Sequence, residues 1–121
     1  MRYRLKQPAQ ISLFLQQMKS IVEENGFIFV EREASVQFLA DRNMTVAQLE
    51  DIILSLCSTD CFDGPEPDRD DRFKDRWTVA EFSPQACGEK LYLKLSIRID
   101  ARRCKCLSVK LFSERPAKQH G

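Results

Sequence analysis

From position 90 to 99, polar and apolar residues alternate without exception. Leu91, Leu93, Leu95, Ile97 and Ile99 take the odd positions, and Lys90, Tyr92, Lys94, Ser96 and Arg98 the even ones. Side chains of a strand point to opposite faces with period 2, so the segment predicts a strand that buries one aliphatic face and offers water the other. Weaker alternation predicts two more strands, over 76–82 and 105–112, and the linkers 83–89 and 100–104 suit antiparallel hairpins. Ahead of them the period is 3.6. Ile11, Phe14, Leu15, Met18, Ile21 and Val22 recur at helical spacing, predicting a helix over 9–25 that opens after Pro8 and closes at Gly26. Val36, Phe38 and Leu39 predict a short helix over 34–41. Thr45-Val46-Ala47-Gln48 has the form of a capping box, opening a helix that buries Leu49, Ile52, Ile53 and Leu56. Phe27-Ile28-Phe29-Val30 is β-prone, a short strand or extended link. The stretch 64–72, dense in Gly, Pro and Asp, reads as a loop. Helices followed by a meander predict an α+β fold, with N-terminal helices packed on one face of a small antiparallel sheet. All 121 residues fall in one expected domain: a helical part over 8–57, an acidic loop over 60–75, the meander over 76–112 and a frayed tail over 116–121.

Charge changes the picture of the sheet. The net charge is +1, but residues 1–87 carry 10 Lys/Arg against 15 Asp/Glu, and residues 88–121 carry 9 against 3. The basic excess therefore coincides with the meander. Along the strand over 90–99 the polar face bears three cations, a phenol and a hydroxyl, with no carboxylate before Asp100. A face kept polar only for solubility mixes both signs, so this one is expected to meet a polyanion. The alternative is a solvated sheet face whose cations only keep it soluble. No window holds the ~18 apolar residues of a membrane span. The basic start Met1-Arg2-Tyr3-Arg4-Leu5-Lys6 has no apolar h-region behind it, so a cytoplasmic protein with no membrane partner is expected.

Neighbouring strands extend the face. In the segment 105–112, Leu107, Val109 and Leu111 form the aliphatic set, and Cys106, Ser108 and Lys110 the other. If Trp77 and Val79 face the core, Arg76 and Thr78 join the open side. The expected constellation is Arg76, Thr78, Tyr92, Lys94, Ser96, Arg98, Ser108 and Lys110. Cations around one phenol suit cleavage of RNA by its own 2′-hydroxyl, which needs a base, an acid and stabilisation of charge on the phosphorane. A Tyr or Lys whose pKa is lowered by neighbouring cations would serve as acid or base, and Tyr92 could also stack on a nucleobase. His120 falls in the expected tail, which leaves no Ser/His/Asp or Cys/His arrangement.

Over about 32–112 the chain resembles toxins of the motility quorum-sensing regulator (MqsR) family. The matching segments are Ile52-Ile53-Leu54-Ser55-Leu56, Ser58-Thr59-Asp60-Cys61-Phe62, Gly64-Pro65-Glu66-Pro67-Asp68, Trp77, Leu91-Tyr92-Leu93-Lys94-Leu95 and Cys106-Leu107-Ser108-Val109-Lys110. The resemblance implies a RelE-like fold and an mRNA interferase of a type II toxin–antitoxin system. Such an enzyme cuts mRNA without a metal or other cofactor and is silenced by a cognate antitoxin protein. It places the family's active-site Tyr at Tyr92 and its catalytic Lys at Lys110. Lys94 completes the expected catalytic set, with Arg76, Thr78, Ser96, Arg98 and Ser108 binding RNA. Two positions depart: Asp63 stands where better-known members carry Lys, and Thr78 where they carry Gln. Arg76, Lys94 or Arg98 would then replace the missing cation. The alternative function is a noncatalytic module that binds nucleic acid or an antitoxin.

Two metal readings compete with the sheet. The acids between Asp60 and Asp75 could hold a hard cation, although their spacing is not that of a calcium loop. Cys57, Cys61, Cys104 and Cys106 could form a structural zinc site, although C-x3-C and C-x-C are not the usual paired spacing. Buried free thiols are the plainer expectation for an odd set of five cysteines.

Overall fold

A computed structural model describes residues 8–68 and 76–115. The basic start, the acids and cations over 69–75 and the tail with His120 lie outside the described residues. Helix α1 spans Pro8–Asn25, strand β1 Ile28–Phe29, helix α2 Glu33–Arg42 and helix α3 Val46–Leu54. Strands β2 (Cys61–Pro67), β3 (Thr78–Phe82), β4 (Gln85–Ala86), β5 (Glu89–Arg98) and β6 (Arg103–Leu111) follow, with 3-10 turns at Ser58–Asp60 and Phe112–Glu114. The α+β class and the N-terminal position of the helices are as expected from the periodicities. No described helix is long and apolar enough to cross a membrane.

Local chemistry accounts for the helix ends. Gly26 takes φ +72° and its N–H donates to the Val22 carbonyl, closing α1. The Thr45 hydroxyl accepts the Gln48 N–H at 3.1 Å, and the Gln48 side chain accepts the Thr45 N–H at 2.8 Å, so the capping box opens α3.

The sheet runs β1-β6-β5-β3-β2. β3, β5 and β6 form the expected antiparallel meander, but the sheet is mixed, because β1 pairs β6 in parallel. The expected loop at 64–67 is instead part of edge strand β2, which pairs β3 with two irregularities. Its Gly64 (φ +84°) lies so close to β3 that a Cβ there would come within 2.7 Å of the Val79 carbonyl oxygen. Pro is tolerated in a sheet at an edge or bulge, which explains how Gly64-Pro65-Glu66-Pro67 pairs despite its loop-like composition. At the other side β1 covers β6 only at Lys105 and Cys106. Farther along, buried Ser35 of α2 takes up the Val109 N–H at 3.1 Å, so a helix protects that part of the edge.

The core lies between the helices and one sheet face. Phe14, Met18 and Ile21 of α1 and Leu49 and Ile53 of α3 meet Phe82, Leu91, Leu93, Leu95, Ile97 and Val109 of the strands. Two features revise the expected faces. Leu107 is the extra residue of a β-bulge: Lys94 pairs Ser108 and Leu95 pairs Cys106. The bulge reverses parity along β6. Cys104 and Cys106 before it point to the core, as do Val109 and Leu111 after it, whereas Leu107 lines the opposite face. On β3 the expected parity is inverted, with Ala80 and Phe82 in the core. Because antiparallel partners share a face, Val79 and Glu81 lie with Ser96 and Lys94 on the polar side.

Candidate functional site

The registers assemble the polar side chains of the second face into rows. Tyr92 lies opposite Lys110; Glu81, Lys94 and Ser108 follow one another across three strands; Val79, Ser96 and Lys105 do the same. Asp63 on β2 extends the middle row beside Glu81. This face is not open to water as its alternation suggested. Tyr92, Ser96 and Ser108 are only 6%, 1% and 6% exposed, and Lys94 and Lys110 are half-buried.

Tyr92 shows why. Its ring centroid is 6.1 Å from that of Phe62, which meets Phe112 edge-on at 5.5 Å. The Arg115 guanidinium lies 4.0 Å from the Phe112 centroid, and Lys90 Nζ lies 4.2 Å from it. Burial pushes the Tyr92 phenol well above its ordinary pKa. The charge and hydrogen bond of Glu81 push it the same way, as does the charge of Asp63, with Arg115 opposing them. The expected phenol acidified by cations is therefore corrected. Tyr92 is a neutral donor whose partner is a carboxylate.

Farther along the sheet, Arg32, Asp68, Trp77, Lys94, Ser96 and Lys105 line a cleft of ≈ 190 Å³. Lys105 Nζ stands 4.3 Å from the centre of the Trp77 ring. Lys94 belongs both to this cleft and to the row containing Glu81.

Of the residues expected at the site, Tyr92, Lys94, Ser96, Ser108 and Lys110 share the face. Thr78 does not: it pairs with core residue Ile97 and lines an apolar groove with Leu13 and Phe14 of α1. Arg76 is exposed before β3, 4.0 Å from Asp100. Arg98 closes a 2.8 Å ion pair with the same carboxylate. Of Arg76, Lys94 and Arg98, only Lys94 stands beside Glu81 and Ser108.

Sequence reasoning missed Glu81, Trp77, Arg32 and Lys105. A signal for the first two was present. The parity that sends Trp77 and Val79 to the core also sends Glu81 there, and an unpaired carboxylate is costly to bury. Arg32 is brought in by the helix-rich half, and Lys105 by the bulge, which alternation alone does not reveal.

The metal readings find no support in the side chains described. Among the described residues, no group of three or more His, Cys, Asp or Glu is disposed to hold a metal ion. All five thiols are free. Cys104 and Cys106 are buried in the core, where desolvation pushes both up to about 12. No family model, curated protein or solved structure matches the chain.

Proposed function

We propose that the chain is a metal-independent endoribonuclease of the type II toxin kind, an mRNA interferase acting in the cytoplasm and silenced by an antitoxin. The observation that carries this reading is the Glu81 carboxylate set on one sheet face with the buried phenol of Tyr92, with Lys94 and Lys110 beside them on adjacent strands. The resemblance to MqsR toxins, which falls on Tyr92 and Lys110, supports it independently.

The chemistry follows from the charges. Glu81 removes the proton of an RNA 2′-hydroxyl, and that oxygen bonds to the adjacent phosphorus. Lys94, beside Glu81, stabilises the extra negative charge of the phosphorane. The bond from phosphorus to the 5′-oxygen then breaks, and the Lys110 ammonium gives a proton to the departing oxygen. The products are a 2′,3′-cyclic phosphate and a 5′-hydroxyl. Tyr92 keeps its proton, holds Glu81 in place and supplies a donor in a water-poor setting. A positioned acid or base contributes about 10²–10⁴-fold in rate.

The test is cleavage of a labelled mRNA in the presence of a chelator, with the ends of the fragments analysed. Wild type should leave 2′,3′-cyclic phosphates. Glu81→Gln and Lys110→Ala should each slow cleavage by about 10²–10⁴ while remaining folded by circular dichroism. Intact RNA with folded wild type, or cleavage by Glu81→Gln at the wild-type rate, overturns the assignment.

A further inference from the structure

Two cations at the Tyr92 end of the face take no part in the chemistry above. Lys90 Nζ lies 4.2 Å from the centre of the Phe112 ring, and the Arg115 guanidinium lies 4.0 Å from it. Among the described residues, neither closes an ion pair with a carboxylate. Glu89, next to Lys90 in the chain, is already taken by Arg42. Within the same residues Arg115 donates one long hydrogen bond, 3.4 Å from Nη1 to the Phe112 carbonyl, and its enclosed Nε has no acceptor. A buried donor without an acceptor is costly, and two like charges against one ring repel each other. An anion arriving between them relieves both costs.

We propose that Lys90 and Arg115 grip the first phosphate on the 3′ side of the scissile bond, an inference that rests on the nuclease reading. Their place along the sheet assigns that side. Glu81 and Lys94 share the row where the 2′-oxygen attacks, and Lys110, opposite Tyr92, meets the departing 5′-oxygen in the next row. Lys90 continues the same line on β5, two residues beyond Tyr92, roughly 6.6 Å along an extended strand. From Lys94 through Tyr92 to Lys90, the RNA therefore runs from the attacking ribose toward its 3′ side. Phe62 packs between Tyr92 and Phe112, which ties the two cations to the reaction centre. The ring contacts hold the cations in place weakly, and they yield to charge-assisted hydrogen bonds with a phosphate, which a guanidinium can make in pairs. The grip sets the leaving nucleoside against Lys110.

The experiment uses a 2′-O-methyl strand with a single ribonucleotide at a position that wild type cuts in mRNA, so one known bond can break. A methylphosphonate then removes the charge of one chosen phosphate at a time. Neutralising the first phosphate 3′ to that bond should lower wild-type kcat/KM about tenfold. The Lys90→Ala, Arg115→Ala double variant should lose about as much on the fully charged strand, and the same methylphosphonate should cost it nothing more. Neutralising the phosphate on the 5′ side should slow both proteins by one common factor. Lys90 is exposed, so Lys90→Ala alone keeps the test decisive if Arg115→Ala disturbs the aromatic packing, and it should show a smaller loss of the same pattern. Lys19→Ala on α1 is the charge control and should behave as wild type. A 3′ methylphosphonate that leaves wild type unaffected, or slows the double variant equally, overturns the inference and leaves the nuclease reading intact. If wild type cuts no RNA, the nuclease reading falls and the affinity of a fully 2′-O-methyl strand decides the grip. An affinity about tenfold weaker in the double variant upholds a phosphate grip at this end of the sheet, and equal affinity overturns it.

Discussion

Removing the Tyr92 hydroxyl should change how stability responds to alkali. In the folded chain burial and Glu81 hold the phenol well above its ordinary value, whereas in the unfolded chain it ionises near pH 10. Above about pH 10 the unfolded state sheds a proton that the native state keeps, so stability falls as pH rises. For a phenol still protonated in the native state, that loss reaches about 1.4 kcal/mol by pH 11. Tyr92→Phe removes this response but also takes the phenol donor away from the Glu81 carboxylate, which should lower stability at neutral pH by about 1.5 kcal/mol. The two proteins should therefore differ by about that amount at pH 8 and converge near pH 11, because other titrating groups contribute equally to both. Urea unfolding of each at a series of pH values measures the difference directly. Phenolate absorbance of a Tyr3→Phe background, in which Tyr92 is the only tyrosine, follows the titration itself. Parallel stability curves for wild type and Tyr92→Phe up to pH 11, or a phenol ionising near its ordinary value, would refute the buried Tyr92–Glu81 couple and the positioning role built on it.

Three further outcomes test the frame that holds the site. Gly64→Ala should destabilise by about 2–4 kcal/mol in urea, since the new Cβ meets the backbone of β3 at a left-handed φ. Arg42 binds both Glu89 oxygens at 2.9 Å, linking α2 to the start of β5 and holding the Glu89 carboxyl below its ordinary value. Glu89 therefore adds stability above about pH 4.3 that is lost as pH falls through its depressed folded value. Arg42→Ala should lower the urea midpoint at neutral pH and flatten that part of the acid decline. Alkylation under native conditions should modify exposed Cys57 and Cys87 promptly and spare Cys104 and Cys106, whose buried thiols resist ionisation; mass spectrometry showing labelled Cys106 in folded protein would contradict the core assignment.

Much of this fold is legible in the sequence because its main signals are local. The α1 periodicity, the Thr45–Gln48 box and the alternation of β5 each belong to a few neighbouring residues, and each element formed where its pattern lies. Edge strand β2 was illegible, since its pairing depends on Gly64 fitting against β3 rather than on strand-forming residues. The site was partly legible for the same reason. Tyr92, Lys94 and Ser96 follow from β5 alone, but their companions depend on how other strands register against it. Leu107 as a bulge exchanges the faces of Cys106 and Leu107, and no period-2 reading can anticipate one inserted residue.

Strand β3 has the larger consequence. A tryptophan beside a valine invites burial, yet the same parity would place Glu81 under the helices. The structure instead sends Thr78, Ala80 and Phe82 to that side, where Ala80 and Phe82 pack against the helices at little polar cost. One residue of register thus converts a face expected to be purely cationic into one with Asp63 and Glu81 beside Lys94 and Lys110. A uniform basic face would bind polyanions and leave the abstraction of a proton to a lysine or phenol. A carboxylate placed among cations supplies a base of its own, while the lysines remain to meet phosphate. The division of charge between β3 and β5–β6 is what makes acid–base cleavage, rather than adhesion to RNA alone, the reading that these side chains favour.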